Sequence, residues 1–167
     1  MRESARKIHG GEHAKGKRKK ARPFSSNKAI HIVMRSERAK GSWSFRRMSV
    51  YGKVIEQIER RAKVSHIRLY NLAVNGNHIH FLIRAKTKAQ LQKFLRAITG
   101  CLARFITGAR RGNAKGKFWD GLTFSRIIEW GKDFQITKSY VIQNVLEAEG
   151  AIPYQPRSSR SRRKEKR

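Results

Sequence analysis

Apolar and polar residues alternate along Ala29-Ile30-His31-Ile32-Val33-Met34-Arg35, which sets Ile30, Ile32 and Met34 on one face of a predicted strand. Residues 41–48 carry no regular pattern. From 49 to about 63 the period lengthens, and Tyr51, Val54, Ile55, Ile58 and Ala62 recur at helical spacing. Alternation returns over 66–74 and ends at Asn75-Gly76, a strong short hairpin signal because both residues tolerate positive φ. The strand at 77–84 should therefore return antiparallel. A second helix is predicted over about 88–107, where Leu91, Phe94, Leu95, Ile98, Leu102, Phe105 and Ile106 draw one apolar stripe. Residues 108–117 form a Gly-rich basic loop. Phe118-Trp119-Asp120 and 122–130 read as strand pieces, with Gly121 as a bulge or turn. A last helix, capped by Asp133 or a neighbour, runs to about 149 and is ended by Gly150 and Pro153. Its expected apolar face is Val141, Ile142, Val145 and Leu146, with Tyr140 and Asn144 one turn apart and away from that face.

The order strand, helix, strand, strand, helix, strand predicts an α+β fold. It is a ferredoxin-like βαββαβ antiparallel sheet with two helices on one face. The other face stays open for a ligand or for the C-terminal helix. In the strand at 77–84, Ile79, Phe81 and Ile83 suit the covered face; His78 and His80 share the open one.

Charge changes the picture more than any other compositional feature. The chain of 167 residues has room for one full core, and its formal net charge is +29. Such a charge favours a polyanionic partner, most simply nucleic acid, with an anionic membrane surface as the other candidate. Residues 1–28 read as a disordered basic arm and 151–167 as a basic tail. They carry +8 and +6, leaving +15 on the 29–150 body. No apolar run approaches a membrane span, and the basic N-terminus lacks the apolar stretch of a secretion signal, so a cytoplasmic or nucleoid location is expected. The single cysteine, Cys101, excludes an internal disulfide and every multi-cysteine zinc motif. His9 and His13 sit in the arm and read as incidental.

Two imidazoles side by side on a stiff strand can grip one metal ion; two polar residues on a solvated sheet face are the plainer alternative. A tyrosine flanking a helix core is, by itself, more often a packing residue. Taken together the motifs say more. Arg22-Pro23-Phe24, Asn77-His78-Ile79-His80, Phe118-Trp119-Asp120 and Tyr140-Val141-Ile142-Gln143-Asn144 occur in this order in a small basic chain. Over residues 22–150 that arrangement resembles the HUH single-tyrosine transposases, most closely the REP-associated tyrosine transposases of the insertion-sequence-like branch.

The resemblance implies roles residue by residue. His78 and His80 match the two histidine ligands of a divalent ion, Mg²⁺ or Mn²⁺, and Tyr140 matches the nucleophile. Asn144 matches the third ligand, which is Gln in some relatives; Gln143 competes for that role. The implied activity is a metal-dependent single-stranded DNA endonuclease and strand transferase, acting near DNA hairpins through a 5′-phosphotyrosine. A phenol, with a pKa of about 10, gives up its proton more easily than an alcohol, and a divalent ion offsets charge developing on a phosphate. No nucleotide-binding fingerprint is present, in keeping with chemistry that conserves bond energy. One tyrosine cannot serve two cleavage sites at once, so a homodimer or a monomer acting in sequential steps would be required.

Arg104, Arg110, Arg111, Lys115 and Lys117, about the loop after the second long helix, are expected to track phosphates. Trp119, Phe124 or Trp130 would stack on unpaired bases, core packing being the alternative for each. His31 and His66 read as structural. Asp120, Glu129 and Asp133 lack the spacing of a three-carboxylate nuclease. The competing reading is a non-catalytic ferredoxin-like binder of DNA or RNA hairpins, either an RRM-like module or a domesticated transposase.

Overall fold

Most of the alternating and helically spaced stretches become elements of the expected type in the computed structural model, which describes residues 7–11, 14, 16, 18 and 20–155. The strands are β1 (Ile8–His9), β2 (Ala29–Arg35), β3 (Arg68–Val74), β4 (His78–Arg84) and β5 (Phe124–Ile128); the helices are α1 (Met48–Val64), α2 (Lys88–Thr107) and α3 (Lys132–Glu149). The sheet runs β1-β5-β2-β4-β3, and all its pairings are antiparallel. Without the short β1 this is the ferredoxin-like strand order.

Burial follows the two-residue period. Ile30, Ile32 and Met34 of β2 and Ile79, Phe81 and Ile83 of β4 join Val54, Ile58 and Ala62 of α1 and Leu91, Phe94, Ile98 and Leu102 of α2 in one core. The opposite sheet face is crossed by α3, which packs on β3, β4 and β5. Helix α2 begins with a reciprocal capping box, in which Gln90 N–H donates to Thr87 Oγ1 and Thr87 N–H to Gln90 Oε1. It ends at Gly108, whose φ of 66° turns the chain out of the helix.

The structure corrects four expectations. Phe118-Trp119-Asp120 is not a strand, and β5 is limited to Phe124–Ile128. Phe118 is buried in the core, and the backbone of the segment is taken up by Ser36 Oγ donating to the Phe118 carbonyl and Asp120 N–H donating to the Arg35 carbonyl. The Asn75-Gly76 hairpin closes, yet neither residue has positive φ. The turn is instead pinned to a neighbouring segment, the Gly76 carbonyl accepting from Phe45 N–H at 2.9 Å. Part of the stretch expected to be a disordered arm is paired: Ile8 lies opposite Arg126 and His9 opposite Ser125. A Cβ on Gly10 would stand 2.2 Å from the Thr123 carbonyl oxygen, so only glycine allows that approach. Residues 1–6, 12, 13, 15, 17 and 19 of the arm, His13 among them, and residues 156–167 of the tail lie outside the described residues.

The fourth correction concerns α3. Its inward side is Thr137, Val141 and Asn144, all buried, with Tyr140 half-buried beside them. Ile142 and Leu146, expected to face the core, are 41% and 36% exposed. The sheet surface beneath α3 carries His31, His78 and His80, so polar helix residues find partners there that an apolar stripe would not. The helix is held in this rotation by Arg126 of β5, which donates to Asp133 Oδ1 at 3.1 Å and to Thr137 Oγ1 at 3.0 Å. Among the described residues no helix is long and apolar enough to cross a membrane.

Candidate active site

Strand register brings three histidines under α3. Val33 is opposite His80 and Arg35 opposite His78, so His31 projects from the same face one step further along β2. His31 and His80 are 7% and 3% exposed. Their rings lie parallel with centroids 5.4 Å apart, and His31 Nε2 meets His80 Nδ1 at 3.2 Å. His78 stands nearly perpendicular to His80, centroids 4.9 Å apart.

The Tyr140 ring reaches down from α3 between them. Its centroid is 5.5 Å from that of His80 and 5.8 Å from that of His31, edge-on to both. One turn later Asn144, 2% exposed, donates from Nδ2 to the Tyr140 carbonyl at 2.7 Å. That bond turns Oδ1 toward the sheet. Gln143 points elsewhere, donating to Glu147 Oε1 at 2.7 Å.

Proton positions follow from the partners. Asn77 Oδ1 can only accept, so His78 Nδ1, 2.8 Å away, carries the proton and Nε2 carries the lone pair. The Asn75 amide nitrogen then donates to His78 Nε2 at 2.7 Å and to Asn144 Oδ1 at 3.4 Å. A single NH₂ group thus sits where two lone pairs from different elements converge, which is the place a cation would take. Asn75 Oδ1 is buried and accepts no hydrogen bond among the described residues.

Burial, and then the charge of Arg126, hold the His31 pKa down at about 4, so this ring is neutral at neutral pH. A neutral His31 can accept from His80 Nδ1–H, which gives His80 the same tautomer as His78, with its lone pair on Nε2. Among the described residues no group of three or more His, Cys, Asp or Glu is placed to hold an ion. A divalent ion here would therefore take two imidazoles and an amide oxygen, and His78, His80 and Asn144 fit that donor set.

The depressed His31 pKa has a consequence for stability. The unfolded chain binds the proton at about pH 6.5 and the folded chain only near 4. Stability is thus fully present above the unfolded pKa and falls as pH drops through this window. The loss is at most about 3 kcal/mol. Chemical denaturation at a series of pH values should show that slope, and His31→Gln should flatten it.

The other expected site residues are divided by the sheet. Arg104, Arg110, Arg111 and Lys115 line one cleft of about 950 Å³ with Arg61 of α1, on the helical layer, across the sheet from Tyr140. Lys117 does not join them; its Nζ donates to the Asp120 carbonyl. Trp119, expected as a base-stacking candidate, is partly buried and packs against the core. Its ring stacks on Phe45 with centroids 5.7 Å apart, and its indole N–H donates to the Thr99 carbonyl at 3.0 Å. The carboxylates are tied to cations, Asp120 to Arg35, Glu129 to Lys7 and Lys28, and Asp133 to Arg126. His66 is exposed and apart from the cluster.

From the sequence alone His31 reads as structural and Asn75 as a turn residue, and Asn77 and Arg126 take no role of their own at the site. Alternation alone placed His31 opposite the Ile30/Ile32/Met34 face, which was a usable signal; its meeting with His80 needed the register. Asn75 and Asn77 flank the turn, where their types already have a backbone explanation.

The sequence matches the profile of the IS200-like transposases over residues 24–144. Among solved structures, the fold is similar to that of a REP-associated tyrosine transposase bound to a REP hairpin: TM-score 0.56 and 12% identity, covering 81% of this chain and 76% of that one. A candidate transposase from Deinococcus radiodurans R1 is also similar, with TM-score 0.47 and 16% identity, covering 77% of this chain and 98% of that one. None of the curated proteins matches.

Proposed function

The chain belongs to the IS200-like transposase family, a family of DNA-processing enzymes, and from that premise we propose that it cuts and rejoins single-stranded DNA beside a hairpin, with Tyr140 as nucleophile. The observation that carries this reading is the convergence on one point of lone pairs from His78 and Asn144, next to a phenol lying 5.5 Å from the His80 ring. His78 Nε2, His80 Nε2 and Asn144 Oδ1 would hold Mg²⁺ or Mn²⁺. Such an ion, when bound by neutral ligands, keeps its full charge to polarise a phosphodiester.

The chain's own residues do the rest. Asn77 and His31 fix the imidazole tautomers, and the bond from Asn144 to the Tyr140 carbonyl ties a ligand and the nucleophile to one helical turn. Tyr140 Oη loses its proton to solvent and forms a bond to phosphorus; the P–O3′ bond breaks, and the departing 3′ oxygen takes up a proton. The products are a 5′-phosphotyrosine and a free 3′-OH. Attack by that or another 3′-OH on the phosphotyrosine reverses the step and joins the strands. Every proposed participant comes from one chain, so a single copy has a full set; two cleavages need two copies or two rounds. The basic cleft on the helical layer supplies phosphate contacts away from the reacting strand. The 29–150 body would act as the transposase unit, with both basic ends adding non-specific DNA affinity.

Hairpin oligonucleotides with randomised single-stranded flanks, incubated with the full chain and Mn²⁺, should give a protein–DNA adduct that survives denaturing electrophoresis. EDTA should suppress it. If neither Mn²⁺ nor Mg²⁺ yields an adduct while the hairpin is still bound, the non-catalytic binder replaces this reading.

A further inference from the structure

A second cleft, of about 380 Å³, opens on the same sheet face as Tyr140, at the other end of β3 and β4 from the Asn75 turn. Its aromatic wall is built from three elements. Trp130 follows β5, Phe134 lies in the first turn of α3, and Tyr70 comes from the irregularity in the β3–β4 pairing. The Trp130 and Phe134 centroids are 4.9 Å apart, and Tyr70 sits edge-on to both, at 5.8 Å from Trp130 and 5.4 Å from Phe134. Trp130 is nevertheless 45% exposed, and its indole N–H donates to the Asn27 carbonyl. A large aromatic face is therefore held rigid and shown to solvent. The rim is cationic, with Arg84, Lys138 and Arg68, the last resting its guanidinium 5.1 Å from the Tyr70 centroid.

The floor holds the observation that points to a ligand. Asn71 lines the cleft, and its Oδ1 is buried with no hydrogen-bond donor among the described residues. Buried acceptors are almost always satisfied, and an aromatic face with phosphate-binding cations around it suits a nucleobase on its strand. Lys138 precedes Tyr140 by two residues of α3, and Phe134 by six, which is about 9 Å of helix rise.

We propose that this cleft is a base-binding subsite. It would receive an unpaired base near the phosphate at Tyr140, stack it on Trp130 and read an N–H on its edge through Asn71 Oδ1. Arg68, Arg84 and Lys138 would follow the flanking phosphates. An acceptor on the floor selects an edge that donates, such as the exocyclic amine of adenine or cytosine, and disfavours a carbonyl presented in the same place. The assignment rests on the reading that single-stranded DNA lies on this sheet face, yet it needs no cleavage to be measured.

The test uses the full chain carrying Tyr140→Phe, which isolates binding from chemistry. Fluorescence anisotropy would compare single-stranded octamers of deoxyadenosine or deoxycytidine with an octamer of abasic sites. Asn71→Ala and Trp130→Ala should each weaken the base-bearing octamers about tenfold and leave the abasic one unchanged. Equal weakening of all three, or of none, overturns the proposal. Because Trp130→Ala could loosen α3, a second measurement needs no further mutation. In ¹⁵N-labelled protein, the Asn71 side-chain amide and the Trp130 indole N–H should shift with dAMP. Inorganic phosphate alone should leave both in place; if it shifts them equally, the cleft is only a cationic patch. Absence of the covalent adduct from the unaltered chain, with these shifts intact, would sink the strand-transfer reading alone. An adduct without the shifts would sink only the subsite.

Discussion

Tyr140→Phe should abolish the covalent protein–DNA product, a loss of at least about 1000-fold in strand cleavage, while folding and Mn²⁺ affinity stay close to those of the unaltered chain. The substitution keeps the ring that packs edge-on to His31 and His80 and deletes one hydroxyl, so its stability cost should be within about 1 kcal/mol. The other tyrosines are poor substitutes. Tyr51 lies under the Arg46 guanidinium on α1, Tyr70 is built into an aromatic cluster, and Tyr154 is 68% exposed beyond the end of α3. Adduct yield on a denaturing gel, read beside Mn²⁺ titration of the same samples, separates loss of the nucleophile from loss of the site. An adduct that persists in Tyr140→Phe would move the nucleophile elsewhere and with it the role of α3.

How much of this was legible beforehand differs between sheet and site. Helix α2 falls on its expected span of 88–107, because one continuous apolar stripe marks it; the Thr87/Gln90 capping box that fixes its start emerged only in the structure. The alternation in 77–84 likewise separated Ile79, Phe81 and Ile83 from His78 and His80. Segment 118–120 misled for a physical reason: Phe118 and Trp119 are apolar because they plug the core beside Phe45, without any ladder of strand bonds. The facing of α3 misled for another. Reading Val141, Ile142, Val145 and Leu146 as the buried side assumes an apolar surface beneath, whereas the surface beneath is a histidine cluster. What no single-chain pattern contains is the register of β2 on β4. That register makes His31 a partner of His80, and the packing of α3 on β3 and β4 sets Asn75 between His78 and Asn144.

The rotation of α3 also favours Asn144 over Gln143 for the proposed ligand, and the preference has a measurable form. Asn144→Ala should lower Mn²⁺ affinity on the order of 100-fold and reduce adduct formation in proportion, while Gln143→Ala changes either by no more than about twofold. Asn144 is buried, with Oδ1 turned to the point shared with His78, whereas Gln143 is half-buried and engaged with Glu147. Alanine at 144 also removes the bond to the Tyr140 carbonyl, so part of any activity loss would come from a loosened helix rather than a lost ligand. Asn144→Asp separates the two effects. It keeps an oxygen at the ligand position and gives up the same Nδ2 bond, so Mn²⁺ affinity should return while the helix contact does not. The introduced carboxylate ligand would carry a charge, leaving less of the ion's field for the phosphate; affinity should therefore recover further than the rate of adduct formation. Electron paramagnetic resonance of free Mn²⁺ gives the affinity and a gel time course gives the rate. Should Gln143→Ala prove the damaging change and Asn144→Ala the silent one, the ligand would have to come from the outward-turning neighbour, and α3 would need to rotate by most of a residue's turn before any ion could be held.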